Sequence, residues 1–233
     1  MKRTAQYLFS LLMTLFSYVH TVYAQHSSAF FRAGLNLANI SVTDNGSVND
    51  ANTLASFQVG IIGDLRIVPG LYLQPGLLFS GKGAKTQSGN SADATYFKAT
   101  TNPYYIEIPA SLVLKAPLGE AKFFAGAGPY LGIGIAGKNK VDGKYLGVGF
   151  HSEKTIQWSN DDPTTTSYEE GTGFGIMKRF DYGINGTVGI EGKVAMLSVN
   201  YGWGLAKLQS GLNSSANDKN KNRVLSFTIG FRL

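Results

Sequence analysis

Beyond residue 30, apolar and polar side chains alternate in eight separate runs, and each run reads as a β-strand. Period two sends successive side chains to opposite faces of a sheet. The last run is the plainest: Leu225, Phe227, Ile229, Phe231 and Leu233 oppose Ser226, Thr228, Gly230 and Arg232. The seventh sets Leu197, Val199, Tyr201, Trp203 and Leu205 against Ser198, Asn200, Gly202, Gly204 and Ala206. In the first, Phe31, Ala33, Leu35 and Leu37 oppose Arg32, Gly34, Asn36 and Ala38. In the second, Phe57, Val59, Ile61, Leu65 and Ile67 oppose Gln58, Gly60, Asp64 and Arg66. Strands three to six are predicted at about 71–82, 103–115, 122–136 and 174–190. Their more polar faces carry Gln74 and Ser80, Glu107 and Lys115, a glycine series with Tyr130, and Arg179 with Asp181.

The gaps between these runs alternate in length. Residues 41–53, 83–102, 137–173 and 208–222 form long gaps, while 68–70, 116–121 and 191–193 are short. An up-and-down sheet with all its long connections at one end is the plan of an outer-membrane barrel. Within the longest gap, residues 144–158 alternate enough to extend strands five and six beyond the membrane as a protruding hairpin.

The two faces decide the class. A soluble ligand-binding barrel would turn the large apolar residues inward and leave the glycine-rich face in water. Glycine weakens an exposed strand and packs nothing there, but on the inner wall of a narrow barrel it makes room for Arg, Glu and Tyr neighbours. Gaps of this length also sit badly in a compact soluble domain. The reading is therefore all-β: an eight-stranded antiparallel up-and-down transmembrane β-barrel, preceded by a cleaved signal peptide. Phe79, Tyr104, Tyr182, Tyr201, Trp203 and Phe231, near strand ends, suit interfacial girdles.

Composition sharpens this picture at three points. Lys2 and Arg3, an apolar stretch from Tyr7 to Val19, and Val22-Tyr23-Ala24 form a secretory leader. Residues 1–24 are expected to be removed before Gln25, leaving 25–233 as the barrel domain. The net charge of +6 then falls to +4, with no Lys/Arg run, so a nucleic-acid partner is not expected. The chain has no cysteine, which excludes disulfides, thiolate metal sites and lipoprotein acylation.

Four stretches carry a family resemblance. Residues 31–39 (Phe-Arg-Ala-Gly-Leu-Asn-Leu-Ala-Asn) and 73–84 (Leu-Gln-Pro-Gly-Leu-Leu-Phe-Ser-Gly-Lys-Gly-Ala) resemble the first and third strands of Bacteroidetes outer-membrane β-barrel proteins, the PorT-like or "porin family" group. Residues 105–109 (Tyr-Ile-Glu-Ile-Pro) and 127–132 (Ala-Gly-Pro-Tyr-Leu-Gly) resemble that group's fourth and fifth strands. The resemblance implies the cell outer membrane and a part in secretion or envelope machinery.

Candidate chemistry is sparse. Gly132, Gly134 and Gly137 match a dinucleotide-binding GxGxxG pattern, but a loop follows where a helix is needed. His26 and His151 are the histidines beyond the leader, and His151 shares its gap with Ser152, Glu153, Asp161, Asp162, Glu169 and Glu170. No nucleophile motif accompanies it, and the paired acids lack EF-hand-like spacing for Ca²⁺. No catalytic, cofactor or metal role is assigned. The inward ionisable residues are instead expected to form a structural lumen cluster: Arg32, Asp64, Arg66, Glu107, Lys115, Arg179, Asp181 and Arg232. An eight-stranded bore is just wide enough for side chains to fill, and unpaired buried charges are costly. Expected partners are outer-membrane lipid and lipopolysaccharide, with envelope or secretion proteins at the long loops, where Trp158 and Tyr168 are the large exposed aromatics. The expected role is non-enzymatic, as scaffold, surface-interaction or envelope component. Small-solute passage and a rim-located lipid-modifying enzyme using His151 are the alternatives.

Overall fold

Eight strands pair in chain order and the last closes on the first. They are β1 (Ser28–Asp44), β2 (Leu54–Val68), β3 (Leu71–Gly81), β4 (Tyr96–Leu118), β5 (Ala121–Tyr145), β6 (Phe180–Glu191), β7 (Ala195–Gly204) and β8 (Lys221–Arg232). Every neighbouring pair in this computed structural model is antiparallel. The structure describes residues 27–44, 47–49, 53–159, 176–208 and 221–233. The seam between β1 and β8 runs from Phe30 opposite Arg232 to Ser41 opposite Lys221. A closed ring has no edge, so it can cross hydrocarbon with every ladder hydrogen bond made.

The reading of an eight-stranded transmembrane barrel holds, and so does its inside-out patterning. Leu77, Leu112 and Leu114 on the outer wall are 56, 51 and 66% exposed, while Asn36 and Asp181 in the bore are fully buried. On the outer surface Phe57, Phe79 and Tyr104 form an aromatic cluster with ring centroids 5.3–6.1 Å apart. Tyr182, Tyr201 and Trp203 stand exposed at the same end of their strands, and Phe231 stands at the opposite end.

Three features differ from the sequence reading. First, most of the gap 83–102 is strand: Ala84–Ser88 pairs with the first part of β4, which begins at Tyr96. Second, β4 and β5 hold 23 and 25 residues, far beyond the ~9–11 that a tilted strand needs to span a bilayer. Their excess stands above the membrane, joined by Val148–Thr155, which folds back on β5. The protruding hairpin thus extends strands four and five rather than five and six, because β5 turns on itself at Leu146-Gly147. Both turn residues have positive φ, +50° and +83°, as a two-residue hairpin turn of this hand requires. Third, β6 begins at Phe180 rather than 174, and Ile176–Met177 instead lies parallel to Gln157–Trp158. Phe174 lies outside the described residues.

A bulge sets the geometry of the protruding part. Tyr104 pairs with Ala136 but Tyr105 pairs with Gly134, so Ile135 is skipped. One extra residue reverses which parity faces inward. Below the bulge Tyr130, Gly132 and Gly134 turn to the bore; above it Gly137 and Asn139 do. Gly134 stands where space is short, since a Cβ there would lie 2.3 Å from the Trp158 ring.

Candidate functional site

Followed from the long-connection end downward, the inward residues of β4 describe the filling of the bore. Tyr105, Glu107, Pro109, Ser111, Val113 and Lys115 are all buried. At the top, Tyr105 meets Trp158 edge-on at 5.7 Å. Trp158 packs against a buried apolar group of Ile40, Ala84, Ile156, Met177 and Leu208. The expectation of Trp158 as an exposed loop aromatic is therefore corrected: the segment 156–158 carries it inward over the bore, where its ring covers apolar surface. Tyr168 lies outside the described residues.

Below this cap sits the first charge group. Lys82 Nζ lies 2.6 Å from Glu107 Oε2 and 3.0 Å from Asp181 Oδ2, with all three side chains buried. Asp181 Oδ2 also accepts from Tyr130 OH at 3.2 Å and Asn222 Nδ2 at 2.9 Å. Asn185 Nδ2 donates to Glu107 Oε1 at 2.9 Å. The Lys82 ammonium lies 4.0 Å from the centroid of the Tyr130 ring. One cation against two carboxylates leaves this group one charge negative.

Arg32 supplies the balance. Its guanidinium is buried beneath, donates from Nη2 to Gln58 Oε1 at 3.4 Å, and has no partner for Nε among the described residues. It lines a cavity of about 40 Å³ with Ser111, Thr187, Asn200 and Ser226. That is room for about three waters among groups able to bind them. Phe30, Val113, Phe124 and Met196 then form a second apolar layer.

The second charge group closes the short-turn end. Lys115 Nζ binds Asp64 Oδ2 at 2.7 Å and also Glu191 Oε2. Arg232 reaches Glu191 Oε1 at 2.6 Å, and Gln74 Nε2 donates to Asp64 Oδ1 at 2.9 Å. Two cations meet two carboxylates here. The residues of both groups, with Arg32, sum to zero charge, which suits a volume where isolated charges are expensive.

Of the eight lumen residues named from sequence, Arg32, Asp64, Glu107, Lys115 and Asp181 are buried within the bore. Arg232 sits at its lower rim. Arg66 is only part-buried near the Pro69-Gly70 turn, and Arg179 is exposed just before β6. Both are therefore corrected as members of the buried groups, since each falls where its strand leaves the ring. Sequence reading missed Lys82 and Glu191, the centre of one group and the hub of the other. Lys82 follows the last residue of β3, and Glu191 stood in a gap assigned to a turn. Continuing the inward parity of each strand by one step reaches both.

The second candidate surface is the protruding sheet. One face carries Lys98, Lys138, Lys140, Asp142, His151 and Glu153, by the alternation along each strand. Glu153 bonds Lys138 at 2.6 Å and Lys140 at 3.0 Å. Those hydrogen bonds hold its carboxyl down at about 2, below the usual 4.5. His151 Nδ1 lies 2.5 Å from Asp142 Oδ1, both exposed, while the adjacent Ser152 points to the opposite face. His26, Asp161, Asp162, Glu169 and Glu170 lie outside the described residues. The opposite face is apolar, with Phe97, Val141, Tyr145, Val148 and Phe150.

A closed ring with an apolar belt, a polar bore and all long connections at one end defines an integral outer-membrane β-barrel. Residues 23–210 match the model of the outer membrane protein beta-barrel domain, and the chain belongs to that family. Comparison with curated proteins gives no match. Among solved structures the chain is similar to Ail, the attachment invasion locus protein of Yersinia pestis, solved with the heparin analogue sucrose octasulfate. The identity is 11%, with 89% of this chain and 99% of that one covered at a TM-score of 0.40. Neisserial surface protein A is similar at 14% identity, 90% and 99% coverage, and a TM-score of 0.40.

The charge groups are open to a direct test. Lys82→Met leaves Glu107 and Asp181 without their cation and is expected to cost about 3–5 kcal/mol. Adding Glu107→Gln and Asp181→Asn removes the stranded charge and is expected to recover most of it. Urea unfolding of the reconstituted protein, followed by tryptophan fluorescence, measures both.

Proposed function

We propose that this protein is a non-enzymatic outer-membrane scaffold whose bore is structural and whose working surface is the protruding sheet. The observation that carries this reading is the filling of the bore. Two apolar layers and two ion-pair groups leave a cavity of only about 40 Å³ between them. A hydrated ion path needs a continuous wet column, and the described residues fill the bore with these layers and ion pairs around that small cavity. The lumen cluster is thus proposed to be a structural plug. Rigid scaffolds carry their binding residues on the connections they hold out, here the sheet built from β4, β5 and 148–155.

Two experiments address this reading. Purified protein in planar bilayers is expected to give no stable conductance; reproducible open channels would sink the plug and favour small-solute passage. Replacing residues 139–154 by Asn-Gly removes the hairpin while keeping Lys138 opposite Asn102. The expected result is normal barrel insertion with loss of surface adhesion or of secretion competence in cells. An unchanged cell would remove the sheet as the working surface.

Export and lineage complete the proposal. The leader over residues 1–24 supports cleavage before Gln25, and the mass of the outer-membrane form is expected to correspond to residues 25–233. A form retaining residues 1–24 would contradict it. The stretches 31–39, 73–84, 105–109 and 127–132 support placement in the Bacteroidetes PorT-like group, with envelope or secretion proteins as partners.

A further inference from the structure

Phe97, Val141, Tyr145, Val148 and Phe150 on the protruding sheet are half-buried or exposed. Tyr104, in the outer aromatic cluster, lies eight residues below Tyr96, about 25 Å along the strand. The face beyond it stands clear of the lipid belt, yet Tyr145, Val148 and Phe150 are 67, 73 and 48% exposed. By inward parity it continues the Thr101, Pro103, Tyr105 side of β4 and so looks across the mouth of the bore.

This face lines a pocket of about 630 Å³, within the ~300–1,000 Å³ usual for small-ligand sites. Its apolar wall is Phe97, Val141, Tyr145 and Phe150. Its lining includes two ammonium groups, Lys144 and Lys154, and among the described residues no carboxylate. By strand alternation Asp142, Glu153 and Lys144 belong to the opposite face, and of these three Lys144 also lines the pocket. Lys144 Nζ donates one hydrogen bond, to Ser91 O at 2.8 Å, and an ammonium has three to give. An elongated apolar wall flanked by positive charge is complementary to one kind of molecule.

We propose that this pocket binds an anionic single-chain amphiphile of the fatty-acid class. The acyl chain lies along Phe97, Val141 and Phe150, and the acid head group meets Lys144 and Lys154. The inference rests on the reading of the sheet as a working surface and names its ligand.

Dodecanoic acid carrying a terminal diazirine, photolysed on the full-length protein in lipid nanodiscs, tests it by adduct mapping. Adducts are expected on residues 95–97, 139–145 and 150–154. Unlabelled dodecanoate is expected to compete at about a tenth of the concentration that dodecanol requires. Phe150→Asp is expected to lower adduct yield about tenfold, since it places a charge against the chain. The Lys144→Gln/Lys154→Gln pair, which leaves the wall intact, is expected to erase the preference for acid over alcohol. Adducts confined to the lipid-facing wall around Leu77 and Leu112, or equal competition by acid and alcohol, would overturn the proposal. Excision of 139–154 without cellular effect, with labelling of the intact protein unchanged, would instead fault the functional reading alone.

Discussion

Hydrocarbon offers a peptide group nothing to bond, so a sheet can enter it only if no edge remains. The seam of β1 on β8 meets that condition, and the other features of the molecule follow from the ring it closes. Closure at eight strands fixes a narrow bore. A narrow bore must be packed rather than left wet, and its packing must use whatever the inward parity of each strand delivers. Lipid outside and side chains inside therefore exchange the usual places of apolar and polar residues.

Inside the ring, electrostatics takes over the part that apolar packing plays in a soluble core. Lys82 and Lys115 each bridge two carboxylates drawn from different strands, so they tie opposite walls of the barrel together across the bore. Arg32 offsets the extra negative charge of the upper group without touching a carboxylate directly. Apolar layers above and between these groups keep bulk water away, which strengthens the ion pairs and raises the cost of losing any member. The same arrangement that stabilises the ring is what the proposed plug rests on.

Above the membrane the sheet continues under a different rule. Beyond the bulge at Tyr104 and Tyr105 there is no lipid outside, and the described residues form no complete ring inside. The wall opens into a free-standing sheet with one charged and one apolar face. Strands of 23 and 25 residues exceed what spanning requires, and the extra length carries this surface clear of the membrane.

Alternation along eight runs, the long-short rhythm of the gaps and the glycines of the polar face were enough to read the ring, its direction and its inside-out sense. These are local or periodic properties, and a closed up-and-down barrel converts them into structure almost one for one. Five of the eight charged residues assigned to the bore lie buried there for the same reason. Tertiary structure alone decided the rest. Lys82 and Glu191 became central because neighbouring strands bring partners to them at the ends of their runs. Trp158 turned inward because Gly134 leaves a space for its ring. The hairpin extended β5 beside β4 rather than leading on into β6 because β5 turns on itself at Leu146-Gly147, and a single unpaired residue, Ile135, exchanged its faces. Such outcomes depend on which residues meet across strands, and one chain's alternation carries no record of its neighbours.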